Sequence, residues 1–366
     1  MHQITVRSWV IAAASVVTIG GLSPLTFAQQ SAPGTEAVAL PAADTSKAFI
    51  ASRMRKNWTP PRTPWGDPDI QGNFTTKDEA NTPMERPAEW AGRAMDSITQ
   101  KELAAAIVKR QQEAIEFAPF FGGGEPEDGV AIAVPIHWFD NLAAVNSRPW
   151  FVIDPPDGVV PPIKLDAPLV AAQVGQMGGR RDTYTDRSAG DRCIAWGAWR
   201  LPTIYGNSYQ IVQTADYVVL RQEQVHEARI VPLKGSAPID PAIRSHLGHA
   251  RGHWEGNTLV VVTTNFHPDT TLRGFGRSAP GRRGAIPASN LRLIERFTRI
   301  APDKVEWTMT FDIPQIFARD WTFSLPMTED DTQIIHEYAC HEGNYGLANI
   351  LSAGRAAEGQ PTPRQH

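Results

Sequence analysis

The sequence predicts a mainly β protein: an antiparallel meander closed as a lipocalin-like barrel or packed as a sandwich, with an N-terminal extended arm and one helix. Three observations predict it. Short β-type runs in the second half follow one another through turn sequences with no helical pattern between them, which favours antiparallel order. Glycine (29) and proline (30) make up about one residue in six, above the usual 12% or so, implying many turns. The Rossmann and P-loop classes need βαβ spacing and glycine fingerprints that this chain lacks.

Along the chain, one basic residue, Arg7, precedes an apolar run at Trp9–Leu22, and small residues follow at Thr26 and Ala28. This is the pattern of a signal peptide over 1–28, cleaved near Ala28, and predicts a periplasmic or secreted protein. A run of about 14 residues is too short to cross a bilayer core, which needs about 20, so no stable membrane insertion is expected. Residues 29–56 are rich in Ala, Ser and Pro and read as a disordered leader. Residues 57–165 form an N-terminal region expected to pack on the β domain. It opens with WTPPRTPWGDPDIQGNF, Trp58–Phe74, whose four prolines exclude a regular helix or central strand. The expectation is an arm anchored by Trp58, Trp65, Ile70 and Phe74. The helix opens at Thr99, which forms a T-x-x-E capping box with Glu102, and Leu103, Ala106, Ile107 and Ala114 share one face to about Phe117. Pro119 and Gly122–Gly124 then break the pattern. Trp150–Asp154 reads as a short strand before a proline-fixed turn.

Residues 166–355 make the β domain, with 356–366 as a disordered tail. Tyr209–Thr214, Tyr217–Arg221 and Val225–Leu233 are short β-type runs. Three hairpins follow: one turning at Trp254–Asn257 into Leu259–Phe266, one pairing Leu291–Ile300 with Val305–Ile313, and one pairing Trp321–Met327 with Gln333–Cys340. The two cysteines, Cys193 and Cys340, lie in no C-x-x-C motif, and a disulfide between them is the favoured reading for an exported chain. Redox or nucleophilic roles are the rival.

Strand alternation locates the candidate chemistry. Val305, Trp307, Met309 and Phe311 point one way and Glu306, Thr308, Thr310 and Asp312 the other, as in a half-buried strand. On its partner, Glu295 shares a face with Leu291, Leu293 and Phe297. A carboxylate turned inward must find a cation or take up a proton. It is either a general acid or base in a barrel lumen or half of a buried Glu–Arg pair. If the last strand persists, Glu337 and His341 share a face about 13 Å apart by rise and line one cavity with neighbouring strands. His341 and Glu342 immediately precede Gly343, where a turn can bring their side chains to a rim. Glu223, His226, Glu227 and Arg229 form a further polar group in which a Glu partner can fix a His tautomer; surface charge explains them equally well. His246, His249 and His253 invite a metal reading, but Gly248, Gly252 and the WEGN turn argue against the helix that their spacing requires. Trp196 and Trp199 either pack a core or line a pocket for a flat or apolar ligand.

The motifs WTPPRTPWGDPDIQGNF, VIDPPDGVVPP, the DRC at Asp191–Cys193, SYQIVQT, Glu223–His226 as E-x-x-H, RGHWEGNTLVV, LRLIERFTRI and EYACHEGNYGLANIL resemble, in combination, a large and widespread family of exported bacterial proteins. The resemblance covers about Trp58 to Arg355. It implies that Glu223, His226, Arg229, Arg251, His253, Trp254, Glu255, Glu295, Arg296, Glu337, Cys340, His341, Glu342 and Asn344 occupy family positions. His246, His249, Asn257 and Trp65 depart from the pattern, which weakens the three-histidine cluster. The resemblance identifies relatives rather than an activity.

A net charge of −4 and a pI near 6.2 leave no basic footprint for nucleic acid. No G-x-S-x-G or H-E-x-x-H is present. The leading expectation is a cofactor-independent acid–base enzyme of isomerase, lyase or cyclase type. It would act on a small, largely apolar molecule such as a terpenoid, steroid or aromatic compound. His226 and Glu295 are the first acid–base candidates and Glu337 and His341 the second, with Arg229 orienting a carboxylate or stabilising negative charge. Glu223, His253, Trp196, Trp199, Glu342 and Asn344 are the substrate-binding candidates. The alternatives are a lipocalin-like binding protein and a metal-dependent hydrolase.

Overall fold

The computed structural model describes residues 45–122, 145, 147–169, 183–203, 205–234, 237–272, 286–332 and 334–358. The chain divides into Met1–Ala43 and Asp44–His366, and the description concerns the second unit. The signal-peptide reading lies outside the described residues, as do most of the leader and of the expected tail.

The second unit is mainly β. Its helices are α1 (Thr45–Arg53), α2 (Gln100–Gly122) and α3 (Tyr345–Glu358). The strands before the domain's hairpins are β1 (Gly72–Thr75), β2 (Val152–Asp154), β3 (Ser208–Gln213), β4 (Tyr217–Gln222) and β5 (Ala228–Pro232). After them come β6 (His249–Glu255), β7 (Thr258–Thr264), β8 (Thr271–Leu272), β9 (Ile286–Pro287), β10 (Arg292–Ala301), β11 (Lys304–Asp312) and β12 (Trp321–Glu329). Strands β8 and β9 pair on their own; the rest form one antiparallel sheet in the order β5-β4-β3-β1-β12-β11-β10-β7-β6, with β2 also on β12. The sheet curls until β5 faces β6, giving a nearly closed nine-strand barrel rather than a sandwich. Gly252 on β6 permits that approach: a Cβ there would stand 2.8 Å from Val231 Cγ1 and 3.1 Å from Leu233 Cδ2.

The β6–β7 and β10–β11 hairpins form as the turn sequences require. The third expected hairpin does not. Residues 334–340 make no strand, because the edge of β12 is taken by β1, through Phe74 opposite Glu329 and Thr75 opposite Thr328, and by β2. The proline-rich arm therefore ends in an interior strand between β3 and β12. Its prolines all precede Gly72, so none removes a ladder donor. Gln213 fixes the arm by accepting from Ile70 N at 2.7 Å and donating to Pro68 O at 3.1 Å. Ile70 and Phe74 are buried, Trp58 is half-buried, and Trp65 is exposed.

The barrel interior is aromatic. Trp307 stacks on Phe297 and meets Tyr209 edge-on, and Phe311, Trp321 and Phe323 stack on one another. The outer face of β10 and β11, expected to be open, is covered. Glu306 and Thr308 are buried. Arg148 meets Glu306 through two 3.0 Å bonds, and α1, inside the expected leader, packs on β10 and β2 through Ser46 and Ile50. Lys47 on α1 also pairs with Glu255 at 2.9 Å. Helix α2 opens on the expected capping box, with Glu102 N donating to Thr99 Oγ1 at 3.3 Å and Thr99 N to Glu102 Oε2 at 2.8 Å. It runs past Pro119 to Gly122. Helix α3 is an addition to the single helix expected. Among the described residues, no helix is long and apolar enough to cross a membrane.

Candidate functional site

Glu295 and Arg229 project into the barrel from β10 and β5. The Glu295 carboxylate is fully buried and receives both Arg229 terminal nitrogens, at 2.5 and 2.8 Å, plus Trp307 Nε1 at 3.1 Å. Of the two readings open for Glu295, the geometry is that of the buried pair, and the carboxylate that Arg229 orients is a protein one. The pair also crosses the β5–β6 seam, where no ladder hydrogen bonds join the strands. The cavity beside it, bordered by Tyr209, Glu227, Arg229, Phe297, Trp307 and Met327, measures about 20 Å³. That is room for about one water molecule.

A larger space lies on the loop from Ala189 to Thr203 that leads into β3. Trp196, Trp199, Arg200, Leu201, Pro202 and Thr203, with Thr271 on β8, line a cavity of about 320 Å³. This is the lower end of the range for small-molecule sites. The loop is irregular, so side chains and a cross-link hold it where a ladder cannot. Cys193 and Cys340 are joined as a disulfide, with Cα atoms 5.6 Å apart, as favoured from the sequence. Trp196 N donates to Glu227 Oε1 at 2.6 Å, Gln222 Nε2 donates to Gly197 O at 2.9 Å, and Gln222 also donates to Glu227. Asn207 brackets Thr203, accepting from its N and donating to its O, both at 2.9 Å. Trp199 packs edge-on to the interior rings Phe311, at 5.2 Å, and Phe266, at 6.1 Å. It therefore joins the cavity wall to the core. Trp196 is half-buried, with the Arg200 guanidinium 5.3 Å over its ring.

Two charges stand out around this loop. Burial pushes the Glu227 carboxyl up to about 8, against hydrogen bonds from the Trp196 and Gly197 backbone that favour its charged form. Burial lowers Arg200 from its ordinary value, with Tyr209, Tyr205, Tyr338 and Glu223 acting the other way. Arg200 Nη2 donates to Thr203 Oγ1 at 2.7 Å. Its Nε and Nη1 are buried and reach no acceptor among the described residues. Arg200 was not a sequence candidate, and Glu227 was named only as a member of the Glu223–Arg229 polar group. Glu227 stood in a polar group where Glu223 and His226 drew the attention, and nothing in a sequence tells a paired arginine from an unpaired one.

Comparison of the chain with known protein families, characterised proteins and solved structures finds no match.

The remaining candidates are dispersed. His226 ends a 3-10 turn at Gln224–His226; its side chain lies outside the described atoms. Glu223 accepts from Ser208 N at 3.2 Å. His253 is exposed and pairs with Glu255 at 3.2 Å. Glu337, His341 and Glu342 are exposed on a segment that is not a strand, so the alternation that turned Glu337 and His341 inward does not operate there. Asn344 donates to Asp191 O at 2.8 Å, tying the start of α3 to the disulfide region. His249 and His253 lie on β6 and His246 in the loop before it, where His246 faces His267 at 4.6 Å between rings. Among the described residues, no group of three or more His, Cys, Asp or Glu is placed to hold a metal ion.

Proposed function

We propose that this is an exported small-molecule binding protein, and that its ligand is a flat, largely apolar molecule seated in the Trp196–Trp199 cavity. The supporting observation is the cavity itself: about 320 Å³, with two indoles, a leucine and a proline in its wall, on a loop cross-linked by Cys193–Cys340. Two indoles supply large rigid contact area at little entropic cost. The inner cavity, at about 20 Å³, has no room for such a molecule. Export to the periplasm or beyond belongs to the same reading. It is supported by the disulfide, by the Met1–Ala28 pattern, and by the motif resemblance to exported bacterial proteins.

Titration with a fused-ring fluorescent probe such as N-phenyl-1-naphthylamine tests the reading. Saturable one-to-one binding is expected, weakened about tenfold or more in Trp196→Ala, whose ring is a wall of the cavity but only half-buried. No saturable binding, or equal binding by the variant, overturns it.

One observation favours acid–base catalysis as a second reading. The Glu227 carboxyl, held near 8, sits directly behind the Trp196 backbone and near the working range of a general acid. Isomerisation, elimination or cyclisation of the bound molecule would then consume it at substoichiometric protein. A binding protein leaves the compound intact.

A further inference from the structure

We infer that the ligand of the Trp196–Trp199 cavity carries a carboxylate, or an anionic group of the same shape, and that Arg200 is the residue that reads it. This rests on the binding reading above and narrows it to one chemical class, small aromatic or alicyclic acids.

Most buried guanidinium groups of this fold meet a carboxylate. Arg148 meets Glu306, Arg187 meets Asp191, Arg229 meets Glu295, Arg296 approaches Glu255 and Arg299 meets Glu329. Each of these cations is sunk in protein and faces a carboxylate, as charge burial requires. Arg200 departs from this. Among the described residues it contacts no carboxylate: it donates to the Thr203 hydroxyl and lies over the Trp196 ring. Arg110 also meets no carboxylate, but it donates to Pro149 O and lines neither cavity described above. Arg200 borders the cavity of about 320 Å³, which is of ligand size. A guanidinium in contact with no carboxylate, at the wall of an apolar cavity, gains a direct ion-pair partner when a planar anion such as a carboxylate enters. The surrounding indoles, Leu201 and Pro202 set the rest of the molecule, a flat hydrocarbon body that stacks beside Trp196 and Trp199. Thr203, already bonded to Arg200, keeps the guanidinium turned along the wall.

A matched pair of probes isolates the charge: 2-naphthoate and 2-naphthamide share shape and apolar area and differ at the group facing Arg200. By calorimetry on the full-length processed protein, the acid should bind about tenfold or more tighter than the amide, the range of a charge-assisted hydrogen bond. Arg200→Gln should abolish that preference while still binding the amide, and its folding is checked by its melting curve. Equal binding of acid and amide to the unmodified protein overturns the carboxylate assignment even if the variant fails to fold. It leaves the binding reading standing, provided the neutral fluorescent probe still binds. Acid preference that persists in a folded Arg200→Gln removes Arg200 from the role. Failure of both naphthalene probes and of the neutral probe overturns the inference and the binding reading together.

Discussion

Removing the Glu295 charge should unfold far more than it should disable. Glu295→Gln keeps the side chain's size but sets an amide donor against a guanidinium that is itself 8% exposed. Two charge-assisted bonds, at 2.5 and 2.8 Å, are disrupted, and the Arg229 charge is left buried without its partner. Breaking a buried pair from one side costs about 3–5 kcal/mol. Arg229→Met should cost a similar amount, because Glu295 then lies in the aromatic interior with only the Trp307 indole donating to it. The double variant, Glu295→Leu with Arg229→Met, closes a cycle with the two matching single variants and is the informative one. Both charges leave, their desolvation cost leaves with them, and the residual penalty is an orphaned Trp307 N–H of about 1–3 kcal/mol. The double should therefore be more stable than either single, with a coupling energy of about 3 kcal/mol or more. Urea unfolding of the four proteins, followed by tryptophan emission and circular dichroism, gives all four values. If the single losses simply add in the double variant, the pair does not hold the seam. If Glu295→Gln is stable but loses some measured turnover, Glu295 is catalytic after all.

The disulfide closes a sequence separation of 147 residues, so replacing both Cys193 and Cys340 by serine should cost up to about 5 kcal/mol in the chain-entropy picture. The purified protein should show no free thiol on titration in denaturant; two free thiols would refute the pairing. For Glu227, the folded value of about 8 stands above the ordinary 4.5, so the folded protein holds a proton that the unfolded chain releases between those limits. Stability should fall as pH rises from about 4.5 through about 8, by at most about 1.4 kcal/mol per pH unit from this group. The slope should flatten in Glu227→Gln, and a slope unchanged by that substitution would refute the assignment.

The hairpins were readable because their information is local. A turn such as Glu255-Gly256-Asn257 and the alternation around it fix pairing within a dozen residues. The insertion of β1 was not readable, since Gly72–Thr75 pairs with Ser208–Ile211 on one side and Thr328–Glu329 on the other. Partners that far apart leave no periodic trace, and the prolines just upstream point toward a loose arm. That one placement also explains the failed third hairpin: once β1 and β2 occupy the edge of β12, residues 334–340 have no ladder to join. The half-buried reading of β11 failed for a related reason. Sequence alternation records the polarity of Glu306 and Thr308, whereas their burial depends on Arg148 and α1, which arrive from elsewhere in the chain.

The same division runs through the candidate site. Inward direction was legible for Glu295, because β10 is a regular strand and period two carries direction. Its counter-ion was not, because Arg229 reaches it across the barrel from β5. At the cavity the local and the long-range meet on one loop. The indoles that wall it are local, and so is the Arg200–Thr203 bond. What holds them still is distant: Cys340 on Cys193, Glu227 and Gln222 on the Trp196–Gly197 backbone, and Phe311 and Phe266 under Trp199. A loop fastened from so many directions is ordered before a ligand arrives. Association then spends less of its contact energy on fixing the wall. The barrel has a filled, charge-paired interior, and under the proposed binding function it serves as the scaffold for the loop mounted on it. Arg200 can stand there without a carboxylate contact because it is only half-buried, whereas inside the barrel the buried Arg229 is held by Glu295.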